Sequence, residues 1–90
     1  MSEILDNLVK TIRDRKNSTE EKSYTKKLLN NKKLSEEKVL EEINELIEAV
    51  ENDTNKIHEA ADVFYHLIIY FEANDVKIED VMNELNKRKK

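Results

Sequence analysis

Glu59 and Asp62 stand three residues apart, just before the most apolar run of the chain, Val63 to Phe71. On a helix, side chains at that spacing share a face with Cβ atoms roughly 5–6 Å apart, so two carboxylates can hold one cation. Acids at the mouth of a buried segment need such a partner, because an unpaired buried carboxylate is costly. Lys56 and Lys77 are the only basic residues between positions 41 and 80, against twelve acids. A second i, i+3 pair, Glu42 and Glu45, precedes the first. Two such pairs on neighbouring helices form a hard-oxygen site suited to Mg²⁺, with Mn²⁺ as a substitute, ions that retain waters and recruit phosphate oxygens. Glu45/Glu48 and Glu48/Glu51 share the spacing, so the first pair rests on the second, which adjoins the buried run.

The elements that must position these acids are helices. The chain of 90 residues has no Gly and no Pro, which disfavours hairpins of strands and excludes glycine-dependent phosphate loops. The expected fold is all-α, one domain over residues 1–90, with four to five helices in a bundle. A first helix runs from about Glu3 to Arg15 or Lys16 on the stripe Ile4, Leu5, Leu8, Val9 and Ile12. Ser18 and Glu21 have capping-box spacing. A short helix or turn follows from Ser23 and is closed by Asn30-Asn31, taken as left-handed breaks like Asn52 and Asn74.

Ser35 reads as the N-cap of a long third helix ending near Glu51, with Val39, Ile43, Leu46 and Val50 facing inward and Leu40 and Ile47 widening that stripe. Glu42 falls at the stripe's edge and Glu45 beyond it. The fourth helix spans about Asn55 to Ala73. Ile57, Ala60, Ala61, Phe64, Ile68 and Phe71 form one face, and Glu59, Asp62, His66, Ile69 and Tyr70 the opposite one. A last helix covers about Ile78 to Lys87.

Hydrophobic residues make up 38% and charged residues 40% of this small chain, so its apolar fourth helix is expected to be covered by a second copy, as a homodimer. With no Cys there is neither a disulfide framework nor a thiolate metal site. No apolar stretch is long enough to span a membrane and the N-terminus has no signal-peptide character, so the expected location is cytoplasmic. Net charge is −4, and no basic stripe is interleaved with aromatics, which argues against nucleic acid. The basic first part of the chain, beside an acidic centre, instead suits a metal site that receives a polyphosphate.

Ser23-Tyr24-Thr25, Lys38 ahead of Glu41-Glu42-x-x-Glu45, and Glu59-Ala-Ala-Asp62-x-x-Tyr65-His66-Leu67 resemble the phosphoribosyl-ATP pyrophosphohydrolase family. The order and spacing match from Arg13-Asp14-Arg15-Lys16 to the closing Ile78-Glu79-Asp80-Val81. The resemblance implies an all-α, Mg²⁺-dependent enzyme of histidine biosynthesis that converts phosphoribosyl-ATP to phosphoribosyl-AMP and pyrophosphate. Its E-x-x-E and E-x-x-D metal motifs fall on Glu42, Glu45, Glu59 and Asp62, with Glu41 as a spare acid acting through water. Lys38, with Arg13 or Lys16, would balance phosphate charge. Ser23, Tyr24, Thr25, Tyr65 and His66 are candidate substrate contacts, although Ser23 and Thr25 also suit a helix cap, the tyrosines a core, and His66 an interface. His58 reads as a surface residue. The chain departs from the family at Leu40, where Gly is usual, and at Lys77, where Ser is common. Two other readings fit the same acids: a house-cleaning nucleoside triphosphate pyrophosphohydrolase, or a helical interaction module with solvated acids.

Overall fold

Apolar spacing near 3.6 residues becomes five helices: α1 (Glu3–Lys16), α2 (Tyr24–Leu29), α3 (Lys32–Asn52), α4 (Lys56–Ala73) and α5 (Ile78–Arg88). The computed structural model describes residues 3–17 and 23–89, and no strand occurs among them. The expected capping box of Ser18 and Glu21 lies outside the described residues. No helix is long and apolar enough to cross a membrane among those described.

Caps set the helix boundaries and correct two expectations. The N-cap of α3 is Asn31, whose Oδ1 accepts from the Leu34 N–H at 3.0 Å, one turn before Ser35. With that N–H satisfied by Asn31, Ser35 is left inside the helix, buried. The asparagines expected to be left-handed are not: Asn30 has φ −97°, Asn31 −139° and Asn74 −111°, and Asn52 is still helical. Positive φ falls on Asp53, Asn55 and Asp75, each beyond a helix end, where short polar side chains tolerate it. Ser23 caps α2 by accepting from the Lys26 N–H at 3.3 Å.

Only residues 53–55 separate α3 from α4, so the two form an antiparallel helical hairpin, the most extensive packing in the molecule. Here the inward stripe of α3 is corrected. Ser35, Val39 and Ala49 are buried and Leu46 half-buried, whereas Leu40, Ile43, Ile47 and Val50 are exposed. Glu42 completes the buried series 35, 39, 42, 46, 49, so it lies within the seam rather than at its edge. The matching seam of α4 is Glu59, Asp62, His66, Ile69 and Ala73. The face that carries the acids is therefore the one that packs on the bundle, while Ile57 and Phe64 on the other side are 85% and 63% exposed.

The dry core sits at the far end of the hairpin. Val9 and Ile12 of α1, Leu28 and Leu29 of α2, Ile68 and Ile69 of α4 and Ile78 of α5 pack together, flanked by Leu34, Tyr65 and Phe71. Each such buried aliphatic side chain contributes about 1.5–3 kcal/mol.

Two bidentate ion pairs close this end. Arg13 grips Glu72 through Nε and Nη2 at 3.0 and 3.1 Å, and Glu79 through Nη1 and Nη2 at 2.8 and 2.7 Å, tying α1 to α4 and α5. Lys16 donates to the Glu72 carbonyl at 3.3 Å and pairs with Asp75 at 3.6 Å.

Candidate active site

Towards the turn of the hairpin the seam changes from apolar to acidic. Glu42, Glu45 and Glu59 each offer an oxygen within 4.8 Å of the others, and His58, Glu59 and Asp62 form a second such group. Glu59 belongs to both. The two pairs of acids chosen from spacing therefore converge across α3 and α4. Among the described residues no lysine or arginine pairs with any of the four; only His58 does, its Nε2 being 3.3 Å from Asp62 Oδ2.

The crowding leaves its mark on the carboxyl groups. Burial, reinforced by Glu45 and Asp62, raises the pKa of Glu42 above the usual carboxylate value. Glu59 is raised for the same reasons. Glu42 Oε2 and Glu59 Oε2 are buried and have no hydrogen-bond partner. Orphaned carboxylate oxygens within a cluster of acids fit a hard divalent cation.

Above the acids, α2 is fastened to α4. His66 Nδ1 lies 2.8 Å from the Asp62 carbonyl, which can only accept, so Nδ1 carries the proton. On the other side of the ring, Nε2 and the Tyr24 hydroxyl share a hydrogen bond of 2.9 Å. Both ring nitrogens of His66 are thus engaged within the chain, and its partner on Asp62 is the backbone, not the carboxylate. Thr25 bonds to the Tyr65 hydroxyl in the same layer, with Tyr65 edge-on to His66 at 5.5 Å between centroids. Tyr24 is half-exposed, its pKa raised by burial and opposed by nearby Lys38. Lys38 Nζ donates to Glu41 Oε2 at 3.2 Å, one turn from Glu42.

Arg13 and Lys16, expected to meet phosphate, are held by Glu72, Glu79 and Asp75, and none of the four acids is among their partners. His58, read from sequence as a surface residue, is exposed and yet joins the acidic group; its i, i+4 spacing to Asp62 was the available signal. A cleft of about 190 Å³ opens at the turn, lined by Glu45, Glu48, Asn52, Thr54, Asn55 and Glu59. A larger one, about 430 Å³, lies between α1 and α5 and shares no residue with the acidic groups.

The family model for phosphoribosyl-ATP pyrophosphohydrolase matches residues 5–89 of this sequence. The chain belongs to that family. Curated relatives named phosphoribosyl-ATP pyrophosphatase include one from Clostridium novyi, 42% identical over 98% of this chain and 83% of its own length. The relative from Paracoccus denitrificans is 44% identical over 93% of this chain and 81% of its own. That from Methanocella arvoryzae is 37% identical, with both chains covered in full. Membership of the pyrophosphohydrolase family covers all five helices, so the acidic seam sits within the matched region.

Proposed function

We propose that this chain is a single-domain, cytoplasmic enzyme that hydrolyses phosphoribosyl-ATP to phosphoribosyl-AMP and pyrophosphate, the second step of histidine biosynthesis. Glu42, Glu45, Glu59 and Asp62 would hold the divalent cation. The observation that carries this reading is the convergence of those carboxylates, two with orphaned buried oxygens, in a member of this family. Mg²⁺, or Mn²⁺ in its place, would supply a polarised water and charge neutralisation on the phosphates.

The chain's own groups have distinct tasks. Glu42 and Glu59 fix the two walls of the site on α3 and α4. Glu41, exposed and one residue from Glu42, is placed to accept a proton from water, and Lys38, its partner, to meet phosphate. Tyr24, half-exposed and hydrogen-bonded to His66 above the acids, is placed to meet substrate. Thr25 with Tyr65, and Tyr24 with His66, hold α2 in place above the acids, and Ser23 caps that helix.

The functional unit is a homodimer. Leu40, Ile43, Ile47 and Val50 recur at i, i+3, i+7 and i+10, the seam spacing of a helix packed against another, yet they are exposed. The cleft of about 190 Å³ is also smaller than the ~300–1,000 Å³ of ordinary ligand sites, so one chain does not enclose a nucleotide carrying two riboses.

Pyrophosphate release tests the reading, with phosphoribosyl-ATP, ATP and dUTP compared in Mg²⁺ and in chelator. Release from phosphoribosyl-ATP that needs Mg²⁺ is expected. Faster release from ATP or dUTP, or release undiminished by chelator, overturns it.

A further inference from the structure

Among the described residues, His58 is the side chain that joins the four acids in a group with metal-ligand chemistry. Its Nε2 is 3.3 Å from Asp62 Oδ2, and the ligand atoms of His58, Glu59 and Asp62 lie within 4.8 Å of one another. The arrangement follows from helix geometry. His58 and Asp62 are one turn apart on one face of α4, and Glu59 projects about 100° round from His58, towards Glu42 and Glu45 on α3. Glu59 thus stands between the two groups, with one buried oxygen that has no partner. The chain contains two histidines, and His66 cannot compete, since the Asp62 carbonyl and Tyr24 engage both its nitrogens.

We infer that His58 is a nitrogen ligand, through Nε2, to a divalent cation held with Glu59 and Asp62. This rests on the carboxylate metal site proposed above and adds a donor of another class to it. An all-oxygen set favours Mg²⁺, whereas imidazole raises affinity for later divalent metals such as Co²⁺. The consequence is a site with broader metal tolerance than four carboxylates would give.

A surface His–Asp ion pair would look the same without metal, so the test detects the nitrogen itself. Electron spin echo spectra of the Mn²⁺-loaded protein report ¹⁴N modulation only when an imidazole is directly bound. The inference expects modulation in the wild type and none in His58→Gln, which preserves length and helix propensity at an exposed position. It also expects His58→Gln to weaken Co²⁺ binding in calorimetry by about tenfold, with Mg²⁺ binding held by the oxygens. Bound Mn²⁺ without ¹⁴N modulation, or modulation that survives in His58→Gln, overturns it. Failure of Mn²⁺ to bind at all overturns the four-acid site and the histidine ligand together.

Discussion

Two sets of carboxylates in this molecule have opposite surroundings. Glu72 and Glu79 converge on Arg13 at the α1–α4–α5 junction, each gripped by two guanidinium hydrogen bonds, and Glu79 is pulled down to about 2 by that contact. Glu42, Glu45, Glu59 and Asp62 converge on each other near the hairpin turn, and burial with mutual repulsion raises Glu42 and Glu59. Net charge is the same kind of side chain in both places; the neighbour decides whether it stabilises the fold or destabilises it. A protein keeps like charges packed together when an ion from outside completes them. The contrast separates acids that have a fixed cationic partner from acids that have none.

The largest effect is expected from Glu59→Gln, which removes the acid shared by both groups. Turnover of phosphoribosyl-ATP should fall by about a hundredfold at limiting Mg²⁺, while the metal-free protein melts no lower than the wild type. Near-normal turnover would break the contrast.

Arg13→Met probes the other set. Glu72 would lose its only guanidinium, and because Arg13 is partly solvent-screened the loss should be roughly 1–2 kcal/mol, several degrees of melting temperature in a chain of this size. The Michaelis constant should be unmoved. A raised Michaelis constant would instead return Arg13 to the substrate.

Opposite shifts predict opposite pH dependence in urea unfolding with chelator present. Glu79, held below its ordinary value of 4.5, adds stability above that value, which is lost as pH falls towards about 2. Glu79→Gln should therefore be less stable than wild type at neutral pH and converge with it in acid. Glu42 is raised, so its contribution is present at low pH and lost as pH rises through the carboxylate range. Glu42→Gln should be more stable than wild type at neutral pH and likewise converge in acid.

The smallest effect concerns Ser35, whose buried Oγ also has no partner and lies on the same seam as Glu42. Ser35→Ala should stabilise the fold by up to about 1 kcal/mol without changing Mg²⁺ dependence. An altered metal requirement would mean that this orphan, too, belongs to the site.

Much of this was legible in the sequence. The lack of Gly and Pro pointed to an all-α fold, and i, i+3 spacing found the four acids that α3 and α4 bring together. What periodicity could not decide was which of two adjacent stripes on α3 faces inward. Positions 39, 42, 46 and 49 and positions 40, 43, 47 and 50 are one residue apart, and the second is the more hydrophobic. A single chain buries the first because α4 packs there, so the acid at 42 is drawn in with its neighbours. The choice between Asn31 and Ser35 for the cap was invisible for a similar reason: both are preferred N-cap types, and the cap falls on Asn31. His58 is a surface residue, as its sequence context indicates, and its approach to Asp62 depends on the i, i+4 spacing along α4.

The three residues 53–55, two of them left-handed without being glycine, have a consequence for how this hairpin can change over time. Their number sets the phase between the helices, and one inserted residue at the start of α4 turns each following side chain by about 100° and moves it 1.5 Å. Glu59 would swing away from Glu42 and Glu45, and the acids would part. The stretch from Glu42 to Asp62, turn included, is therefore a reading frame for the site: exchanging a residue in the turn keeps the phase, whereas adding or removing one shifts it.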